Sequence, residues 1–275
     1  MFKTQRNNFK NYEYVEKELK FFINSKIRMK ILNCLLYGSL SMKDIHTKAN
    51  LTYSSISNNI HKLEEKKYIT ENSGRYELNN LIKMKFLDII DLNESIDVIN
   101  NYSNFWKDHN TESIDIESLK KISQLKDSKI IESDPSDIYK THNYFTKLLK
   151  KSYYVKSVFP IIHHEYYGIF ENLLKNKVKM EFLLDKSIVY SFLRAIDPNL
   201  RRISLKENKL KIKYLENIKF HLTVTNNFIS FGLFKEDNNY DQNKMLISSS
   251  KEAINWGNET FEIYNSNGKN LYMIQ

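Results

Sequence analysis

The chain has 275 residues, 41% of them hydrophobic, which is enough to bury more than one core, and six glycines with three prolines leave little composition for long flexible linkers. A single cysteine excludes an intrachain disulfide and a cysteine-rich metal cluster. Net charge is +9 and uneven: residues 1–80 hold 14 Lys and Arg against 8 Asp and Glu, while the remaining residues hold 28 against 25, so the basic excess gathers where phosphate neutralisation would use it.

The opening Met1-Phe2-Lys3-Thr4-Gln5-Arg6 lacks the apolar stretch of a leader, and no run approaches the length of a membrane span. A soluble, cytoplasmic protein with no membrane partner is the expectation. Residues 12–24 read as a leading helix. Ser25 starts a first core helix over residues 26–37 that Gly38 ends, with Cys34 placed as core packing beside Ile27, Ile31 and Leu35.

Residues 41–76 read in order as a helix-turn-helix and a two-stranded wing. Ser41 and Asp44 have the spacing of a capping box, and Met42, Ile45 and Ala49 share one face of a short helix. Asn50-Leu51-Thr52 makes the turn, and Thr52 caps a second helix whose buried stripe is expected to be Tyr53, Ile56, Ile60 and Leu63. Its other face carries Ser54, Ser55, Asn58, His61 and Lys62, small and polar first and basic later, which suits a helix laid in a DNA major groove. Tyr68-Ile69-Thr70 and Arg75-Tyr76-Glu77-Leu78 flank Asn72-Ser73-Gly74, a hairpin with Asn and Gly in its turn. Short helices with polar outer faces are common, so the weight rests on the order and close spacing of the parts. The stretch from Leu51 to Lys66 also resembles the recognition helix of bacterial and archaeal winged helix-turn-helix repressors. Lys67 departs from that pattern, standing where those proteins usually place a helix-ending glycine.

Beyond the wing, Asn79 can cap a helix over residues 81–90 with Leu81, Met84, Phe86, Leu87 and Ile90 apolar, and a second helix covers residues 94–106. These carry more apolar residues than one face needs, so this connector is read as packing against a partner or another domain. From residue 138 strands and helices alternate: Tyr154 to Phe159 closed by Pro160, a helix over 164–176, Val178 to Leu184, a helix over 188–196, and Leu210 to Leu215. That alternation implies parallel strands with right-handed crossovers. A hairpin through Thr225-Asn226-Asn227, a short strand Met245-Leu246-Ile247 and a last helix from Ser250 through Tyr264 follow, adding antiparallel strands.

Several phrases in this half resemble archaeal transcription regulators with a methanogenesis regulatory protein middle domain. They are Phe105-Trp106-Lys107-Asp108-His109, Val158-Phe159-Pro160-Ile161-Ile162-His163, the run from Thr225 to Phe234, Tyr240-Asp241, and the run from Ala253 to Tyr264. The resemblance implies a transcription regulator carrying a sensor-like domain.

Catalytic and metal motifs are not found. The half beginning at residue 138 has a phospholipase D-like outline, but phosphohistidine chemistry needs a His-x-Lys, and the one present, His46-Thr47-Lys48, lies in the helix-turn-helix. His163-His164-Glu165 follows the first parallel strand, where open sheets place ligands, yet adjacent rings do not share a helical face and give no metal motif. Asp185 ends the second strand and is the next expected ligand contact, though a plain turn residue or helix cap would serve equally; Trp256 is a candidate wall, while helical spacing favours core packing for at least two of Trp256, Phe261 and Tyr264.

The sequence therefore predicts an α+β chain: a winged helix-turn-helix DNA-binding domain (1–80), a helical connector (81–137), and an α/β effector or assembly domain with a mixed, partly parallel sheet (138–275). The expected function is a sequence-specific, dimeric, non-enzymatic transcription regulator without cofactor or metal, whose partners are double-stranded DNA, a second copy and a small effector. Thr52, Tyr53, Ser54, Ser55, Asn58, His61, Lys62, Asn72, Ser73 and Arg75 are the expected DNA contacts, and His163, His164, Asp185 and Trp256 the expected ligand contacts. The alternatives are a phospholipase D-like hydrolase or nuclease with an accessory DNA-binding domain, and a ligand-free dimerisation module.

Overall fold

A computed structural model describes residues 12–271 of the chain, and the opening from Met1 to Arg6 lies outside them. The chain divides between Asp91 and Leu92 into two units. In the first, helices α1 (Tyr12–Ile23) and α2 (Lys26–Leu35) lead to a short strand β1 (Leu40–Ser41), then α3 (Met42–Ala49), α4 (Tyr53–Glu65), and the hairpin β2 (Ile69–Asn72) and β3 (Arg75–Leu78). The strands form one antiparallel sheet in the order β1-β3-β2. The caps form as read: Ser25 accepts the Arg28 amide, Thr52 accepts the Ser55 amide, and Ser41 and Asp44 complete a reciprocal capping box. Two hydrogen bonds from Ser41, through its hydroxyl and its amide, hold the Asp44 carboxyl below the usual carboxylate range.

Ile45, Ile56, Ile60 and Leu63 are buried with Ile31, Leu32 and Phe22 in one core, as helical spacing requires. Tyr53 departs from the expected stripe and is 48% exposed. It is the first residue of its helix and stacks on the His46 ring, centroids 4.4 Å apart. The hairpin turn is tighter than expected, because Asn72 pairs with Arg75 and only Ser73 and Gly74 bend. Their φ values of 52° and 77° are the positive pair that a two-residue hairpin turn needs.

The second unit holds an eight-stranded sheet. A single helix α5 (Asn80–Asn101) replaces the two expected between the wing and residue 106, because no Gly or Pro interrupts it, and Asn79 caps it through the Leu81 amide. The unit boundary falls within this helix. Then come α6 (Ser103–Lys107), α7 (Ile116–Leu119), β4 (Ser128–Glu132), α8 (Lys140–Leu149), β5 (Tyr154–Phe159), α9 (Glu165–Lys175), β6 (Lys179–Asp185), α10 (Lys186–Ala195), α11 (Pro198–Lys206), β7 (Leu210–Leu215), β8 (Phe220–Thr225), β9 (Ile229–Leu233), β10 (Lys244–Ser248), α12 (Lys251–Asn267) and β11 (Lys269–Asn270). The order is β11-β7-β6-β5-β8-β9-β10-β4, parallel among β5, β6 and β7 and antiparallel elsewhere. Residues expected to be connector thus supply β4, which pairs with β10 along Ser128 to Glu132.

Alternation along the strands builds two cores. Val155, Phe159, Phe182 and Leu184 pack with Phe145, Phe170 and Phe192 of α8, α9 and α10 on one face. Val158, Leu183, Leu222 and Phe231 pack with Trp256 and Phe261 of α12 on the other. No helix among the described residues is long and apolar enough to cross a membrane.

Lys67 stands at the end of α4 in the conformation that a helix-ending glycine takes. Its φ is 56°, and its amide and that of Tyr68 reach back to the carbonyls of Glu64 and Leu63, the double bond of a glycine-type helix end. A left-handed conformation costs an L-residue roughly 1–2 kcal/mol, part of which glycine returns as unfolded-state entropy. Lys67→Gly is expected to stabilise the first unit by about 0.5–1 kcal/mol. Hydrogen-exchange protection of the α4 amides measures this, and unchanged or lower protection would contradict it.

Candidate functional site

In the first unit, the exposed face of α4 is set by what the other face buries. With Ile56, Ile60 and Leu63 in the core, Ser54, Asn58, His61 and Lys62 stand in solvent as expected. Ser57 joins them, a residue omitted from the expected contacts although it lies three after Ser54 and four before His61 on the same face. Thr52 and Ser55 are otherwise engaged: the Thr52 hydroxyl donates to the Ser55 hydroxyl at 2.9 Å and accepts the Ser55 amide. Asn59 is buried, donating to the Ser55 carbonyl at 2.9 Å and accepting from Ser25 at 3.3 Å. It anchors α4 to the start of α2 and leaves the reading face to its neighbours.

Asn72 and Ser73 are exposed at the wing tip. Arg75 is less available than expected for a phosphate anchor. Its guanidinium donates to the Ser39 carbonyl at 2.6 Å and the Ser39 hydroxyl at 3.3 Å, and Asp44 lies 3.7 Å away. This arginine clamps the wing to the capping box of α3, with its side chain still 49% exposed.

In the second unit, a cavity of about 320 Å³ opens on the face of the sheet opposite α12, lined by His142, His163, Tyr166, His221 and Tyr240 among others. Alternation leaves Ser157, His221, Thr223, Ser230 and Gly232 on that face, opposite the apolar residues that meet α12. Gly232 is needed there, because a Cβ would lie 2.5 Å from the Tyr240 hydroxyl oxygen. His163 sits at the carboxyl end of β5 as expected. Burial, then the neighbouring His142 and His164, push its imidazole below the usual range. A hydrogen bond from His142 at 2.6 Å holds the Glu165 carboxyl below its usual range.

The four expected ligand contacts do not converge. His163 and His164 are neighbours, their ring centroids 4.5 Å apart, with His164 at the start of α9. The Asp185 carboxylate is committed to the fold, accepting the Ser187 amide and hydroxyl and the Ile218 amide at 2.9, 2.6 and 2.8 Å. Burial works to raise its pKa, but these bonds outweigh it and the net shift is downward. Trp256 is a correction: it is 1% exposed in the α12 core, edge-on to Phe231, with its indole N–H donating to the Ser118 carbonyl at 2.8 Å. His142, Tyr166, His221 and Tyr240 were missed. They come from α8, α9, β8 and a loop, and no short spacing joins them.

His221 is buried with Thr223 as its hydrogen-bond partner at 3.2 Å, and burial pushes its imidazole down to about 3. The unfolded chain takes up this proton first, so the stability contributed is present above the ordinary value of 6.5 and is lost as pH falls from there toward about 3. Tryptophan fluorescence reports this unit, which contains both Trp106 and Trp256. The melting temperature is expected to fall less steeply with acid in His221→Gln than in the unaltered chain. Parallel curves would rule out His221 as a source of the dependence.

Comparison with known proteins follows the same division. Residues 16–99 match the family described as methanogenesis regulatory protein FilR1, N-terminal domain, and residues 138–267 match its middle domain. The methanogenesis regulatory protein FilR1 of Methanothrix harundinacea (strain 6Ac) is 26% identical over 259 residues, covering 93% of this chain. The chain spans 58% of that relative's length. Among solved structures, TrmBL2, an archaeal chromatin protein, is similar at 12% identity and a TM-score of 0.43, over 95% of this chain and 100% of its own. A phospholipase D family member, Nuc from Salmonella typhimurium, is similar at 7% identity and a TM-score of 0.40, over 53% of this chain and 98% of its own. Likenesses of that size carry no argument about activity. The two matched domains lie in order along the chain, with residues 100–137 between them, and the chain belongs to the archaeal family of the methanogenesis regulatory protein FilR1.

Proposed function

We propose that this chain is a sequence-specific DNA-binding transcription regulator of the archaeal cytoplasm. The observation that carries the reading is the exposed polar face of α4. Ser54, Ser57, Asn58, His61 and Lys62 stand on one side of a helix fixed at both ends and held by a buried stripe on the other. A rigid helix with short polar side chains at its start and a cation further along has the chemistry to read base edges and touch phosphate. The wing, with Asn72 and Ser73 exposed at its tip, extends the contact along the backbone.

The regulator acts as a homodimer in this reading. Leu81, Met84 and Leu87 on α5 are 67%, 65% and 48% exposed, more apolar surface than a helix keeps in water without a partner. A two-fold dimer calls for an operator with two similar half-sites. The cavity of the second unit serves a small effector, and the protein does no catalysis. Phosphohistidine chemistry finds no support, since the His46 ring is held by the Leu51 carbonyl at 2.5 Å and by stacking on Tyr53.

A mobility shift with fragments of the chain's own promoter region tests the reading. Asn58→Ala and Ser54→Ala are expected to relax base preference, on a scale of about 1–3 kcal/mol for a good bidentate contact. If both variants discriminated operators as well as the unaltered chain, α4 would not be the reader. Lys62→Ala is expected to weaken binding to every sequence alike and to lower the slope of log K against log salt by roughly 0.9. A change in the preferred sequence would instead make Lys62 a base contact.

A further inference from the structure

Two histidines separated by twenty residues meet one carboxylate beside the cavity of the second unit. His142 comes from α8, His163 from the loop after β5, and Glu165 from the first position of α9. One donor atom from each lies within 4.8 Å of the other two. The arrangement is held from several sides. The His142 ring lies nearly parallel to the Tyr166 ring, 9° apart in plane and 5.2 Å between centroids. The His163 ring is 4.4 Å from that of His142, and its Nδ1 accepts the Glu165 amide at 3.4 Å, which leaves Nε2 for an outside partner. The Nδ1 of His142, across the ring from the nitrogen that meets Glu165, is buried without a hydrogen-bond partner.

We propose that His142, His163 and Glu165 form a binding site for one divalent transition-metal ion, with zinc as the representative. The donor set decides the class of ion. Two imidazoles and a carboxylate suit zinc and its neighbours, whereas magnesium and calcium call for oxygen donors throughout. Metal-to-donor bonds of about 2.0–2.1 Å put tetrahedral donors roughly 3.3 Å apart, so the wider spacings, now within 4.8 Å, must close while the 2.6 Å hydrogen bond between His142 and Glu165 gives way to the ion. Glu165, with its side chain 58% exposed, has the freedom to do so. Three protein donors leave a fourth position open, as in zinc sites that take a further ligand. His142 and His163 also line the 320 Å³ cavity, so the open position serves whatever enters it. A small molecule with an anionic or nitrogen donor would then be held through the ion, in a cavity that Tyr139, Phe145, Tyr166 and Tyr240 also line.

The test uses the full chain without a polyhistidine tag, stripped with a chelator and titrated with zinc chloride by calorimetry. One equivalent of zinc is expected to bind, and His163→Gln and Glu165→Gln are each expected to weaken it by about tenfold to a hundredfold or more. Cobalt supplies an independent readout, a visible absorption band that reports imidazole and carboxylate coordination and is expected to vanish in both variants. Metal-free melting curves show whether each variant folds, with His142→Gln in reserve should either fail. Absence of stoichiometric zinc binding, or equally tight binding by folded variants, would overturn the site. Either result leaves the DNA-binding reading untouched, because that rests on the first unit alone.

Discussion

Strands β8 and β9 are buried along their whole length, with helices over both faces of the sheet, and this confinement governs the second unit. A polar group placed there has no water and must find its partner inside the protein. Ser157 and Thr223 bridge β5 and β8 through their hydroxyls at 2.9 Å, and His221 reaches the same Thr223. Thr225 accepts the amides of Asn227 and Phe228, each at 3.1 Å, and donates to the Phe228 carbonyl, closing the hairpin that joins β8 to β9. The face that carries these small and polar residues has less bulk than its opposite, and the cavity opens over it. Fold and candidate ligand site thus have one cause.

A second buried pairing joins distant parts of the same unit. His109 is buried just after α6, with Nδ1 2.6 Å from the Phe105 carbonyl and Nε2 3.2 Å from the Asp241 carboxylate. The ring thus bridges the Phe105 carbonyl and the Asp241 carboxylate. Burial works to raise the Asp241 pKa, but bonds from His109 and the Asn243 amide bring it below the usual range. Lys244 adds a bond to Asp108 at 2.8 Å. Two phrases that carry the family resemblance, Phe105 to His109 and Tyr240-Asp241, are therefore one structural joint. Cutting one partner of such a pair would strand a charge away from water, which is far more damaging than replacing both.

The first unit depends more on local devices. An N-cap contributes about 1 kcal/mol, and α2, α3 and α4 each have one. The Arg75 clamp then ties β3 to the capping box, so the wing and the start of α3 move as one piece. That rigidity suits α4, whose exposed side chains would read a surface only if their helix held still.

Much of this was legible along the chain because caps, turns and periodicity act over a few residues. Ser25, Ser41 with Asp44, Thr52 and Asn79 cap where their side chains allow, and the wing turns at Ser73 and Gly74, where the glycine takes positive φ without the cost of a side chain. The strand Leu210–Leu215 and the parallel direction of β5, β6 and β7 follow from runs of apolar residues between helices. Asp197 and Pro198 at the start of α11 were an equally local signal that went unread. Other features have no local cause. Ser128–Glu132 is a strand because β10 lies beside it. Tyr53 left the core stripe for the His46 ring, Arg75 is held by Ser39, and Trp256 was drawn into the α12 core. The meeting of His142 with His163 and Glu165 lies in the same class. Short-range free energies choose the elements, and those the sequence determines by itself. Which side chains meet depends on strand order and register, which only burial of the whole sheet decides.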